Sequence, residues 1–201
     1  MEKVVELQNG QLAINGGRGI QIFVKDKEKG NYIEEGKNIM ITTIEDYIQI
    51  NENELASISG QESEITFWDL TTREIITQIG EIKNYGRFCL ILYDKSLIVG
   101  GADRYTDNNF IYIINVESHE LIKKYNFFGN IWFMNKFNGN EFFSGDSRGF
   151  IKRYRYEENI IKIMEENNEH KDTVLKLASE GNNNYFASLS DHLLVIFKIS
   201  E

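Results

Sequence analysis

The stretch "ITFWDLTTREIITQIG", Ile65 to Gly80, begins as an alternating strand, reaches a Trp-Asp pair, turns, and runs into a second apolar segment. Whether this hairpin is unique or one of a series decides the fold, so internal repetition is the first property to test. Just upstream, Leu55 follows the polar turn "NENE". The same arrangement recurs at Leu12 after "NGQ", Leu97 after "DKS", Phe142 after "NGNE" and Phe186 after "EGNNNY". Successive anchors lie 43, 42, 45 and 44 residues apart.

Each anchor opens a similar string: "LAING", "LASIS", "LIVGG", "FFSGD" and "FASLS". Large apolar residues come first and small ones last, as where an inner strand lets a neighbouring backbone come close. A further strand follows each, "IQIF", "ITFW", "IYII", "IKRY" and "LVIF", whose fourth residue is always bulky: Phe23, Trp68, Ile114, Tyr154 and Phe197. One alternating or apolar run precedes each anchor. A more polar fourth run follows every unit but the last: "NYIEEG", "EIITQIG", "ELIKKYNF" and "IIKIMEE". The runs are rich in β-branched and aromatic residues and none keeps a helical period, so the spacing predicts four-stranded antiparallel units. A unit of this kind repeating every 43 residues or so is the blade of a β-propeller.

On these residues the chain resembles a WD40-repeat protein over its whole length. The second unit, "ELASISGQESEITFWDLTTREIITQI", and the fourth, "FFSGDSRGFIKRYRY", have that family's layout, with Tyr154 in the Trp position of the fourth. The fifth carries "EHKDTVLKLASE", similar to the family's His-containing opening. The resemblance implies structural roles for Trp68, Asp69, His170 and Ser188, the last two in a hydrogen-bonded stack that in this unit meets Phe197, a ring with no N–H to donate. The expected fold is all-β, one propeller-type domain over 1–201 with blades near 1–36, 37–80, 81–129, 130–171 and 172–201. The last blade lacks a downstream fourth strand, so the expectation is a partial or incomplete ring: a small closed ring, an open arc, or an assembly completed by another chain. The Leu194 to Ile199 edge is where a partner would add a strand.

Composition narrows the function classes. The 201 residues carry a formal net charge of −9, against the basic excess that tracking a phosphate backbone requires, so nucleic acid is not expected as a partner. "MEKVVELQNG" has no apolar signal region and no run approaches a membrane span, so no membrane is expected either. The single cysteine, Cys89, lies in the apolar run "FCLILY", where it reads as a core thiol in a reducing compartment. A cytoplasmic protein is the expectation.

No catalytic motif is present in the sequence: no nucleophile elbow, no phosphate loop, no pair of histidines at metal spacing. "GGRG" at Gly16 to Gly19 joins two strands and reads as a tight hairpin. His119, His170 and His192 fall in separate units, so neither a shared metal site nor a cofactor is expected. The long loop "GADRYTDNNF" offers several oxygens but lacks the calcium-loop spacing, and reads as a recognition loop. Turns between second and third strands share one rim of a propeller and present Arg18, Glu62, Arg104, Tyr105, Asp107, Arg148 and His192. Trp132, in "GNIWFM", is either a core residue or an exposed anchor. These eight are the candidate partner-binding residues. A non-enzymatic interaction scaffold, or a subunit of a larger complex, is the leading expectation. The alternatives are a propeller-framed hydrolase, which needs carboxylates or histidines converging on the inner strand ends, and a small-ligand or glycan module, which needs aromatic-lined pockets.

Overall fold

The computed structural model describes residues 3–16, 19–41, 43–60, 62, 64–80, 82, 88–101, 108–179 and 185–198. The described residues form nineteen strands and no helix. The chain falls into two compact units, Met1–Lys83 and Asn84–Glu201. Its sheets are antiparallel meanders, the blades of a β-propeller.

The first unit holds two blades. Strands β1 (Val4–Glu6), β2 (Leu12–Gly16), β3 (Gly19–Lys25) and β4 (Tyr32–Glu34) pair in chain order, as do β5 (Ile44–Asn51), β6 (Glu54–Ser59), β7 (Glu64–Asp69) and β8 (Ile75–Ile79). The two sheets share a core in which Ala13, Ile20, Ile22, Tyr47, Leu55 and Trp68 pack together. Tyr47 also links the sheets by polar contact, its hydroxyl 2.8 Å from the Ala13 carbonyl and 2.6 Å from that of Lys3. β6 is buried along its whole length while β8 is largely exposed, so hydrophobicity falls from second strand to fourth as the sequence pattern requires.

The second unit holds three blades. The third comprises β9 (Phe88–Tyr93), β10 (Ser96–Gly101), β11 (Asn108–Asn115) and β12 (Glu120–Phe128). The fourth comprises β13 (Ile131–Asn138), β14 (Glu141–Asp146), β15 (Ile151–Glu157) and β16 (Ile160–Asn167). The fifth has three strands among the described residues: β17 (Lys176–Ser179), β18 (Tyr185–Leu189) and β19 (Leu194–Lys198). Ile91, Ile98, Ile113, Met134, Phe142 and Tyr154 fill the space between third and fourth blades. Phe143, Ile151, Val174, Leu177 and Phe186 fill that between fourth and fifth, with Phe143 and Phe186 stacked at 4.2 Å between ring centroids. Gly145, in the small-residue end of β14, meets Val174 so closely that an added Cβ would lie 2.5 Å from Cγ1. The close approach of the segment that leads into the fifth blade is therefore the reason for a small residue there.

The turn after the third strand recurs in three blades. Asp26, Asp69 and Asn115 each accept, on one side-chain oxygen, the backbone N–H groups two and three residues ahead: Glu28 and Lys29, Thr71 and Thr72, Glu117 and Ser118. The residue four positions ahead then takes a positive φ, at Gly30, Arg73 and His119. These Asx turns close the outer hairpins without proline, which the chain lacks.

Candidate interaction surface

The polar contacts inside the blades place the structural residues. The anchor strands of the second, fourth and fifth blades carry Ser57, Ser144 and Ser188, all buried. Each serine meets a different partner. Trp68 Nε1 donates to Ser57 Oγ at 2.8 Å, the Tyr154 hydroxyl lies 3.0 Å from Ser144 Oγ, and His170 Nε2 lies 2.6 Å from Ser188 Oγ. The equivalent positions in the first and third blades are Ile14 and Val99, which need no partner. Phe197 packs against Phe186 with centroids 5.6 Å apart and leaves the Ser188 hydroxyl to the histidine. Burial pushes the His170 imidazole below its ordinary range, against the opposing charge of Glu169. Asp69 acts in the outer turn: the Thr72 and Thr71 amides hold its carboxyl below the usual carboxylate range.

Of the eight candidate partner-binding residues, Arg18, Arg104, Tyr105 and Asp107 lie outside the described residues. Glu62 is exposed just past β6, and its backbone N–H donates to Ser59 Oγ at 3.3 Å. Arg148 sits in the β14–β15 turn. Its guanidinium stands 3.6 Å from the buried Asp146 carboxylate, whose other oxygen accepts the Arg148 and Phe150 amides. His192 is exposed in the β18–β19 turn. Trp132 is half-buried on β13, where its carbonyl accepts from the Cys89 thiol at 3.5 Å. Glu62, Arg148 and His192 occupy the same connection, between second and third strands, in different blades.

Two features escaped sequence reading. Glu141, at the start of β14, is buried with a guanidinium on each oxygen: Arg153 at 2.7 Å and Arg155 at 2.7 Å. Burial would raise this carboxyl, but the hydrogen bonds from Arg155 and Arg153 prevail and hold it below the usual range. The signal was the Arg-Tyr-Arg alternation in β15, which puts both arginines on one face opposite Glu141. The second is an open groove of about 540 Å³ in the second unit, lined by Tyr93, Ser96, Lys136, Asn140, Tyr156 and Asn159. Tyr156 spends its hydroxyl on Ser96 and Asn159, and buried Tyr93 donates to the Glu141 carbonyl. The two rings pack on each other at 5.4 Å between centroids and the Lys136 ammonium lies 4.5 Å from the Tyr93 ring, so the groove's aromatic surface is engaged within the protein. Among the described residues no three His, Cys, Asp or Glu are grouped to hold a metal ion.

The fifth sheet presents an open apolar face. Register places Lys176, Leu189 and Leu194 in one row, Ala178, Ala187 and Ile196 in the next, and Tyr185 with Lys198 in the last. These residues share one face, opposite the buried Leu177, Phe186 and Phe197 side. Leu194 is 61% exposed and Ile196 66%, well above the leucines and isoleucines of the other anchor and third strands. Among the described residues β19 pairs on one side only, with β18.

No family model and no curated protein matches the chain. Solved structures do match. The structure of U3-55K, a WD40 β-propeller protein, superposes with a TM-score of 0.65 at 15% identity, over 78% of this chain and 49% of that one. At that identity the likeness is one of fold, and the chain spans about half the length of its structural neighbour. Among the described residues no helix is long and apolar enough to cross a membrane.

Proposed function

We propose that the protein is a non-enzymatic interaction module, a WD40-like scaffold or complex subunit of the cytoplasm, that offers the edge and outer face of its fifth sheet to another polypeptide. The observation that carries this is β19: an apolar strand paired on one side, with Leu194 and Ile196 standing in solvent. An unpaired strand edge offers a row of backbone donors and acceptors, and a contiguous apolar face adds the affinity that the edge alone lacks. The propeller fold supports the reading by analogy, since its blades form a frame and its surfaces do the binding. Glu62, Arg148 and His192, with Arg18, Arg104, Tyr105, Asp107 and Trp132, are further contact residues in this proposal, each within its own unit.

Site-specific photocrosslinking in the protein's own cell tests it. A crosslinking side chain at position 194 should give discrete adducts with a polypeptide, lost when Ile196→Lys is added, while one at the exposed turn residue Glu28 should give none. The absence of any polypeptide adduct at position 194 would overturn the proposal.

A further inference from the structure

The sequence contains three Asn-Gly pairs, Asn9-Gly10, Asn15-Gly16 and Asn138-Gly139. Asparagine is chemically labile in such a pair. The backbone nitrogen that follows it, once deprotonated, attacks the side-chain carbonyl carbon and closes a succinimide ring. Glycine favours this step because it has no Cβ to obstruct the approach and its backbone turns freely. The three pairs share this chemistry, so their local structures decide which of them can use it.

Two of the pairs are held back. Asn9 has both ends of its side-chain amide engaged: Oδ1 accepts the Gln11 backbone N–H at 3.0 Å and Nδ2 donates to Gln11 Oε1 at 2.8 Å. The Gly10 N–H, the group that must attack, donates to the Leu7 carbonyl at 2.8 Å. Asn15 is half-buried in β2, its Oδ1 accepts the Lys3 backbone N–H, and the ladder holds it opposite Ile20 and Gly16 opposite Gly19. To react, either asparagine must first give up hydrogen bonds that contribute about 0.5–1.5 kcal/mol each.

The third pair has none of these restraints. Asn138 ends β13, Gly139 opens the turn to β14, and both are exposed. Among the described residues neither the Asn138 side chain nor the Gly139 N–H takes part in a hydrogen bond. The ladder is irregular just ahead of the pair, with a register shift between Lys136 and Asn138. Gly139 has φ +26°, and nothing lies within 4 Å of where a Cβ would stand.

We infer that Asn138 is a self-modification site, where the β13–β14 hairpin loses ammonia and becomes an isoaspartyl or aspartyl hairpin with time. The Gly139 nitrogen gives its proton to solvent base and bonds to Asn138 Cγ. The Cγ–Nδ2 bond then breaks, and Nδ2 takes up a proton and leaves as ammonia. Water reopens the ring. Attack at the Asn138 backbone carbonyl carbon gives isoaspartate, and attack at Cγ gives aspartate. Either product adds a negative charge to the hairpin. Isoaspartate also routes the chain through the side-chain carbon, which lengthens the backbone at the residue paired with Glu141. The Glu141 carboxylate holds Arg153 and Arg155, so the lesion falls at the end of the strand that carries this cluster.

Peptide mapping by mass spectrometry tests this, after timed incubation of the purified full chain at mildly alkaline pH and physiological temperature. Isoaspartate is read by its methylation with an isoaspartyl methyltransferase. In the folded protein the Asn138 peptide should convert from amide to acid several-fold faster than the Asn9 and Asn15 peptides, and in heavy-oxygen water its product should carry a solvent oxygen. In denaturant the three rates should draw together. Asn138→Gln should keep the wild-type melting temperature and lose the signal, because the longer side chain closes its ring far more slowly. A folded chain in which Asn9 or Asn15 converts as fast as Asn138, or in which Asn138 stays an amide while the denatured chain converts, would overturn the inference. An unchanged ratio of rates in denaturant would overturn it as well, since neighbouring residues and not the fold would then set the order.

Discussion

His170 Nε2 lies 2.6 Å from Ser188 Oγ, both side chains buried, the two residues eighteen positions apart in sequence. The contact ties the segment leading into the fifth blade to that blade's central strand. It also makes His170 a pH-sensitive member of the core, since burial holds its imidazole below the ordinary value.

The sign of that effect follows from linkage. The unfolded chain binds the proton more readily than the folded one. The stability associated with neutral His170 is therefore present in full above the ordinary histidine value of about 6.5 and falls as the pH drops through it. Denaturant titrations at about pH 8 and pH 5.5 should show a loss of stability in the wild type that His170→Gln reduces. An equal loss in the variant would show that His170 does not titrate with folding.

Trp68 and Tyr154 do the same work in different blades, each reaching the serine of its neighbouring anchor strand. Trp68→Ala should cost about 3–5 kcal/mol, from lost burial plus the cavity left behind. Tyr154→Phe keeps the ring stacked on Phe142 and removes only the hydroxyl, so Ser144 stays buried without that partner, at a cost of about 1–3 kcal/mol. Equilibrium unfolding checks both. A Trp68→Ala protein as stable as the wild type would contradict the assignment of the second blade.

Glu141 should couple its two arginines. Arg153→Ala or Arg155→Ala alone leaves the carboxylate one guanidinium, whereas the double replacement leaves a buried carboxylate without either. A double-mutant cycle on unfolding free energy should therefore be non-additive by about 0.5–3 kcal/mol, with the double variant worse than the sum. The carboxyl is held low in the folded state, so this stability is present above the ordinary glutamate value of about 4.3 and is lost as the pH falls below it. Strict additivity would count against the arrangement.

Gly149 has φ +88°, and a Cβ there would run into the His170 carbonyl. Gly149→Ala is strained in backbone and in space at once, and should destabilise by more than the ~1 kcal/mol that Ala costs at an open left-handed position. Calorimetry on the variant provides the check, and an unchanged melting temperature would contradict the close approach of the β14–β15 turn to His170.

How much of this was legible from sequence depends on whether the signal was periodic. The anchors at Leu12, Leu55, Leu97, Phe142 and Phe186 fall in the second strand of each sheet because burial on a central strand selects large apolar residues every time. The polar fourth strands were legible for the converse reason: their position at the edge frees them from that selection. The Glu141 cluster was not legible, since a charged residue on a strand ordinarily reads as solvent-facing and only its two cross-strand arginines make burial tolerable. Nor was the make-up of the open fifth-sheet face. It depends on register, which sets whether Lys176 shares a face with Ile196, and register follows from pairing rather than from local composition. Trp132 presented a choice between core and exposed anchor, and the strand places it half-buried.

The open edge of β19 carries the proposed function, and amide hydrogen exchange on the dilute chain measures it directly. The central strand β18, paired on both sides, should exchange slowly, while β19 exchanges markedly faster across Leu194–Lys198. Protection of β19 equal to that of β18 in the dilute chain would contradict the claim.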